Sequence, residues 1–243
     1  MIVVTGLKAE ARIAAAPGLK VFACGGNVGL RAREIRAAVL SGAPAILSFG
    51  VAGGLDTTLR AGDWVVASRV SFGERRIETD PEWANRLAQR IAGAELAPIV
   101  SAADAVLHPA HKRDLHERTG AAAVDMESFQ AAALAEELKV PFAAVRVIAD
   151  PMHREIPPAA RLGLRADGTI AIGAILASLI RGPSQLPLLM RVSGDSLTAF
   201  RALLRGREQL GPHFASSRCP TVLAIAPGNA EAPDRHRTEP LPA

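Results

Sequence analysis

Short runs of β-branched and apolar residues alternate along the chain with stretches whose apolar positions recur at helical spacing. Met1 to Thr5 is one such run and stops at Gly6; Val21 to Ala23 is a second, ended by Cys24-Gly25-Gly26. Between Val28 and Ser41 the apolar positions follow a helical period, with Arg31, Arg33 and Arg36 on the polar side and Gly42 and Pro44 closing the segment. Ala45 to Phe49 reads as a buried strand that runs into a glycine-rich bend, Gly50-Val51-Ala52-Gly53-Gly54, and Trp64 to Val70 as a further strand. Pro81 opens a helix through Ile91, because a missing N–H costs nothing in a first turn. Ile99-Val100, Ala105 to Leu107 and Ala121 to Val124 are short apolar runs around a helix expected over His111 to Arg118. Ser128 to Leu138 predicts a strong helix, and Pro141 to Ala149 a strand buried on both faces. The alternation predicts one α/β domain, a mixed twisted β-sheet flanked by helices, in which ligands bind beyond the carboxyl ends of the strands.

Beyond Asp150 the pattern changes. Ile170 to Arg181 predicts an apolar helix, Pro183 and Pro187 interrupt, and Asp195 is placed to cap a helix through Arg205. On that helix Leu197, Phe200, Leu203 and Leu204 share a face, with Arg201, Arg205 and Arg207 mostly opposite. Such a basic amphipathic helix either lies on a membrane surface or packs on the domain or a subunit partner. Ser216 to Ala243 is rich in proline and small polar residues and is expected to be disordered.

Composition narrows the classes. A chain of 243 residues with 49% hydrophobic positions has room for one sizeable core plus an appendage, and is not globally disordered. The formal net charge is only +4, there is no Lys/Arg block and no tyrosine, so nucleic acid is not an expected partner. Cys24 and Cys219 form no CxxC pattern, which points to a reducing compartment. The start carries no basic segment followed by an apolar run, so no signal peptide is expected. Ile170 to Ile180 falls short of the ~20 apolar residues that cross a bilayer, and a cytoplasmic location follows as the expectation.

Common catalytic motifs are missing: there is no GxGxxG after a strand, no Walker A, no GxSxG and no HExxH. His108, His111 and His116 have Lys112 and Arg113 among them and read as a solvated helix, so no metal site is expected. Three acids stand out because each lies where a strand ends: Glu10 after the first, Glu127 after Ala-Ala-Ala-Val-Asp-Met, and Asp150 after the run from Pro141. A carboxylate there must be solvated, paired or functional. Helix capping or a surface ion pair would explain each singly; three beside a glycine-rich bend point to a site.

Four segments, Ser48-Phe49-Gly50-Val51-Ala52-Gly53-Gly54-Leu55, Gly62-Asp63-Trp64-Val65-Val66, Val124-Asp125-Met126-Glu127-Ser128 and Val140 to Asp150, come in order over residues 1–182. Together they resemble the purine nucleoside phosphorylase and methylthioadenosine/adenosylhomocysteine nucleosidase superfamily, and within it the hopanoid-associated phosphorylases, which release adenine from adenosylhopane. The resemblance implies a nucleosidase domain over 1–182, a helical extension over 183–214 and a tail over 215–243. It implies that Asp150 is the acid that protonates purine N7, that Glu127 binds the ribose hydroxyls and that Met126 lies under the sugar. It places Val106 and Leu107 at the purine, and Gly50, Ala52 and Gly53 where backbone approaches the ribose or nucleophile.

Glu10 matches the glutamate that orients water in hydrolytic members, but Lys8-Ala9-Glu10-Ala11 carries one glutamate, a residue early, where they often carry several. A phosphorolytic member would need cations around phosphate, for which Arg31, Arg33 and Arg36 are candidates against the alternative of a solvated face. Water and phosphate therefore both stand as nucleophile. No cofactor is expected beyond phosphate as a co-substrate. Expected partners are a nucleoside, lipid-linked if it is adenosylhopane, a membrane surface for the C-terminal helix, and a second copy in a homodimer. The alternatives are a nucleosidase or phosphorylase for small 5′-substituted adenosines and a non-catalytic nucleoside- or lipid-binding module.

Overall fold

The computed structural model describes residues 1–157 and 185–217, with residues 169 and 178 in isolation. The elements are β1 (Ile2–Thr5), α1 (Lys8–Ala14), β2 (Lys20–Ala23), a 3₁₀ turn (Val28–Arg31) running into α2 (Ala32–Leu40), β3 (Ile46–Gly54), β4 (Trp64–Phe72), β5 (Arg75–Glu78) and α3 (Pro81–Arg90). They continue with β6 (Glu95–Ser101), α4 (Pro109–Thr119), β7 (Ala123–Asp125), α5 (Ser128–Glu137), β8 (Phe142–Asp150) and α6 (Leu186–Leu210).

All eight strands belong to one mixed sheet, ordered β2-β1-β3-β7-β6-β4-β5, and β8 pairs parallel with β3 and antiparallel with β4. Those two pairings close β3, β7, β6, β4 and β8 into a ring, from which β1 and β2 extend beside β3, and β5 beside β4. The apolar run of β8 is buried along its length except at Asp150, as a strand covered on both faces requires.

Several elements differ from the sequence expectation. Gly50 to Gly54 is not a bend. It continues β3, pairing Gly50 with Arg146 and Ala52 with Ile148, and a register shift after Ala52 sets Gly53 opposite Asp150. The expected helix from Val28 begins as a 3₁₀ turn, and Ala105 to Leu107 lies in a loop. β5 was not anticipated, because it buries only Ile77 among charged residues.

The C-terminal helix differs most. α6 begins at Leu186, with Pro187 in its first turn, so Asp195 is interior rather than a cap; its carboxylate meets Arg154 Nε at 2.5 Å. Ala199, Ala202, Leu203 and Leu210 are buried in the core that also holds Trp64, Val145 and Val147. Leu186, Met190, Leu197 and Leu204 are exposed. The expected apolar face is therefore divided, with Leu203 inside and Leu197 and Leu204 outside. Trp83 Nε1 donates to the Phe214 carbonyl at 2.7 Å, and the Phe214 ring meets Phe49 edge-on at 5.0 Å, tying the end of this segment to the core. The helix expected at Ile170 to Arg181 and most of the tail expected from Ser216 lie outside the described residues. Among the described residues no helix is long and apolar enough to cross a membrane.

At Gly206 α6 lies against the Trp64 indole, and a methyl group there would overlap its ring. Replacing Gly206 by leucine is expected to cost about 1–3 kcal/mol of stability, the usual range for overpacking, read by denaturant unfolding with tryptophan emission as the probe.

Candidate functional site

The three strand-end acids come together around one cavity of about 220 Å³. Each arrives by a different route.

Glu10 lies in the first turn of α1, where the chain leaving β1 turns back across β3. Leu7 N–H donates to its Oε2 at 2.7 Å and Val51 N–H to its Oε1 at 2.8 Å, so the carboxyl bridges α1 and β3. The side chain crosses directly over Gly50; a Cβ there would stand 2.5 Å from Glu10 Oε1. That close approach is why the strand needs glycine at this position. Glu10 is only 2% exposed, and burial raises its carboxyl above the ordinary range while the two N–H donors hold it down in part.

Glu127 follows β7 and Met126, and both side chains line the cavity. Beneath them, Arg146 of β8 is 1% exposed and pairs with Asp125 at 2.7 Å. Arg146 also donates to Ser48 Oγ at 2.6 Å and Ser128 Oγ at 3.1 Å, whereas Glu127 is 3.8 Å away. Arg146 is thus largely satisfied by Asp125. Burial and the nearby Asp125 charge push the Glu127 carboxyl up to about 8, with Arg146 opposing.

Asp150 ends β8 beside Gly53 and lines the same cavity, its side chain 16% exposed. Its carboxylate receives a hydrogen bond from Lys112 Nζ at 2.5 Å. Burial raises the Asp150 carboxyl, and the Lys112 ammonium opposes the rise.

Of the other residues singled out in the sequence, Ala52, Gly53 and Val106 line the cavity. Gly50 sits behind Glu10 instead. Leu107 does not line it, although its carbonyl accepts from Ile156 N–H at 2.9 Å, and Ile156 does. Arg31 and Arg33 are corrected outright: Arg31 pairs with Glu34 at 2.9 Å on the surface, Arg33 is exposed, and neither reaches the cavity. Arg36 pairs with Glu137. Among the described residues no group of histidine, cysteine and acidic side chains could hold a metal ion. His116 Nδ1 instead lies 2.9 Å from the Ala121 carbonyl.

Sequence reasoning missed Lys112 and the Arg146–Asp125 pair. An arginine inside the otherwise apolar run of β8 was the available signal for the pair, since a charge there needs a partner. Lys112 gave no comparable signal, because most of its neighbours on α4 are polar and Leu115 is the one large apolar residue on its face.

The sequence profile of the phosphorylase superfamily matches residues 8–160, a stretch that includes all three acids. A search of curated protein sequences finds no match. Solved structures do match. A 5′-methylthioadenosine/S-adenosylhomocysteine nucleosidase from Colwellia psychrerythraea in complex with adenine has a TM-score of 0.58 at 17% identity, covering 73% of this chain and 94% of its own. The nucleosidase of the same name from Helicobacter pylori, with butyl-thio-DADMe-Immucillin-A, has a TM-score of 0.57 at 17% identity, covering 86% and 97%. A futalosine hydrolase mutant of Helicobacter pylori has a TM-score of 0.57 at 16% identity, covering 85% and 97%. At these identities the likeness is one of fold.

The raised Glu127 carboxyl has a consequence for stability. A folded-state pKa above the ordinary 4.5 means that the folded protein holds its proton more tightly than the unfolded chain does. That contribution is complete below about pH 4.5 and is lost as pH rises through about 8. Glu127→Gln is therefore expected to gain stability relative to wild type as pH goes from 5 to 9. Thermal melts across that range measure the difference, and a constant gap would refute it.

Proposed function

Because the chain belongs to the phosphorylase superfamily and is an enzyme of the nucleosidase or nucleoside phosphorylase type, we propose that it hydrolyses the N-glycosidic bond of a 5′-substituted adenosine and releases adenine. The observation that carries this reading is the pair of carboxyl stations in one cavity, Asp150 at one and Glu10 with Glu127 at the other. Glu10 spans Gly50 and Val51 while Asp150 stands beside Gly53, so the stations lie two to three residues apart along β3, roughly 7–10 Å. That spacing suits a nucleoside laid along the strand, with its base toward Asp150 and its ribose toward Glu10 and Glu127.

In this arrangement the C1′–N9 electron pair leaves with the purine while the Asp150 carboxyl gives its proton to N7. Glu127 bonds the ribose hydroxyls, and Met126 forms the apolar floor under the sugar. Water adds to C1′ and passes a proton to Glu10. A carboxyl raised by burial retains its proton nearer neutrality, as the donor's task demands, and the same dryness makes Glu10 a stronger base. Water is favoured over phosphate because two carboxyl groups face the ribose end, and none of the described residues lining the cavity is an arginine or lysine. A phosphate dianion there would find no cation among the described lining residues to offset its charge.

Within that class we favour adenosylhopane, on the resemblance over residues 1–182 and on the exposed stripe Leu186, Met190, Leu197 and Leu204 of α6, which offers apolar surface to a lipid-linked substrate. A second reading, 5′-methylthioadenosine or S-adenosylhomocysteine, draws on the nucleosidases that share the fold. The working unit is taken as a homodimer on family grounds.

Adenine release from adenosylhopane and from 5′-methylthioadenosine, each with and without phosphate, tests these readings together. Release from the first without phosphate is the expected outcome; a phosphate requirement would overturn the hydrolytic step, and release from the second alone would move the substrate. Asp150→Asn is expected to lower kcat by about 10²–10⁴-fold, the contribution typical of a positioned acid. Liposome flotation provides a separate check on the stripe: wild type should float with the vesicles, whereas a Leu197→Ser/Leu204→Ser variant should not.

A further inference from the structure

Lys112 is wholly buried, although most of its helix α4 is polar and His111 and Arg113 flank it in the sequence. A buried ammonium is costly unless every proton finds an acceptor, and here all the acceptors belong to one short segment. Nζ donates to Asp150 Oδ2 at 2.5 Å, the Asp150 carbonyl at 2.9 Å, the Pro151 carbonyl at 3.1 Å and the Arg154 carbonyl at 3.4 Å. The segment is held at two further points, by the Leu107 carbonyl through Ile156 N–H and by Asp195 of α6 through Arg154. It returns Ile156 to the cavity wall.

We propose that Lys112 is the positioning residue for Asp150: it clamps Oδ2 and the chain that follows, and leaves Oδ1 to the purine. This rests on the reading of Asp150 as proton donor. When the proton passes to N7, the carboxylate left behind is stabilised at once by the adjacent ammonium, so no group needs to reorganise during bond breaking. Among the described residues the charged groups around Asp150 are Lys112 from α4, Asp195 from α6 with its partner Arg154, and Asp104, Glu10, Asp125 and Glu127 lining the same cavity. Of these only Lys112 contacts the carboxyl as an opposite charge, and it acts against the desolvation that raises it.

The test is a carbon-13 NMR titration of the Asp150 carboxyl in the full chain, comparing wild type with Lys112→Met and Lys112→Gln, with Asp150→Asn assigning the signal. Adenine release is followed over the same pH range. Both variants are expected to titrate at higher pH than wild type, and the alkaline limb of kcat should move with them. We expect kcat to fall about 10–100-fold and KM to change less than about threefold, because the interaction serves proton transfer rather than binding. A lysine that only braces the fold would lower the melting temperature and leave both the titration midpoint and the alkaline limb in place; that result overturns the proposal. Should the Lys112 variants fail to fold, the reciprocal measurement decides: in Asp150→Asn the nitrogen-15 signal of Lys112 Nζ should move and its protons exchange faster with water, and an unchanged signal overturns the pairing. A shifted Asp150 midpoint in a wild type that releases no adenine would support the clamp and sink the glycosidic reading instead.

Discussion

Arg146 places a full positive charge in the middle of β8, a strand otherwise built of apolar residues and covered on both faces. Desolvating a guanidinium is costly, and the fold offsets that cost by surrounding it with oxygen. Asp125 from the end of β7 takes it at 2.7 Å, Ser48 of β3 and Ser128 of α5 accept further protons, and Ser101 of β6 donates to Asp125 from behind at 2.6 Å. Five elements are thereby referred to one planar group. Met126 and Glu127 sit on the turn immediately after Asp125, so the pair that satisfies a buried charge also aims these two side chains into the cavity. Removing either partner would strand the other in a dry interior, a loss of about 3–5 kcal/mol for buried pairs in general.

The same dryness does different things at the three acids because each has a different neighbour. Glu10 has two backbone N–H donors and, among the described residues, no cation in contact; Glu127 has a second carboxylate nearby and an arginine already committed elsewhere; Asp150 has an ammonium of its own. One apolar enclosure thus raises all three carboxyl groups while each meets a different opposing neighbour.

Much of this was legible in the chain. Strand-end carboxylates are conspicuous against apolar runs, and the run from Pro141 to Ala149 marks β8 almost to the residue, while Ala121 to Val124 overlaps β7 only at Ala123 and Val124. The glycine-rich segment was misread because local propensity favours a bend, whereas the close approach of Glu10, 40 positions earlier in the chain, is what calls for glycine inside β3. Lys112 was hidden for a related reason. Whether a lysine on a polar helix faces water or the end of a strand depends on how α4 lies over the sheet, and periodicity in α4 alone carries no trace of that. α6 shows the limit again, since its apolar positions serve two faces and its starting proline read as an interruption.

Closure of five strands into a ring also decides which backbone groups are left over. A sheet of eight strands laid flat would expose long unpaired edges, each a template for another chain. Here the described strands leave only β2 and β5 at the ends, each four residues long. Arg75, Arg76 and Glu78 occupy three of the four positions in β5, and Arg75 leans across to Glu136 while covering the face of Phe129. A fold so rich in β-branched runs is protected from edge-to-edge aggregation at that border by its shortness and its charge.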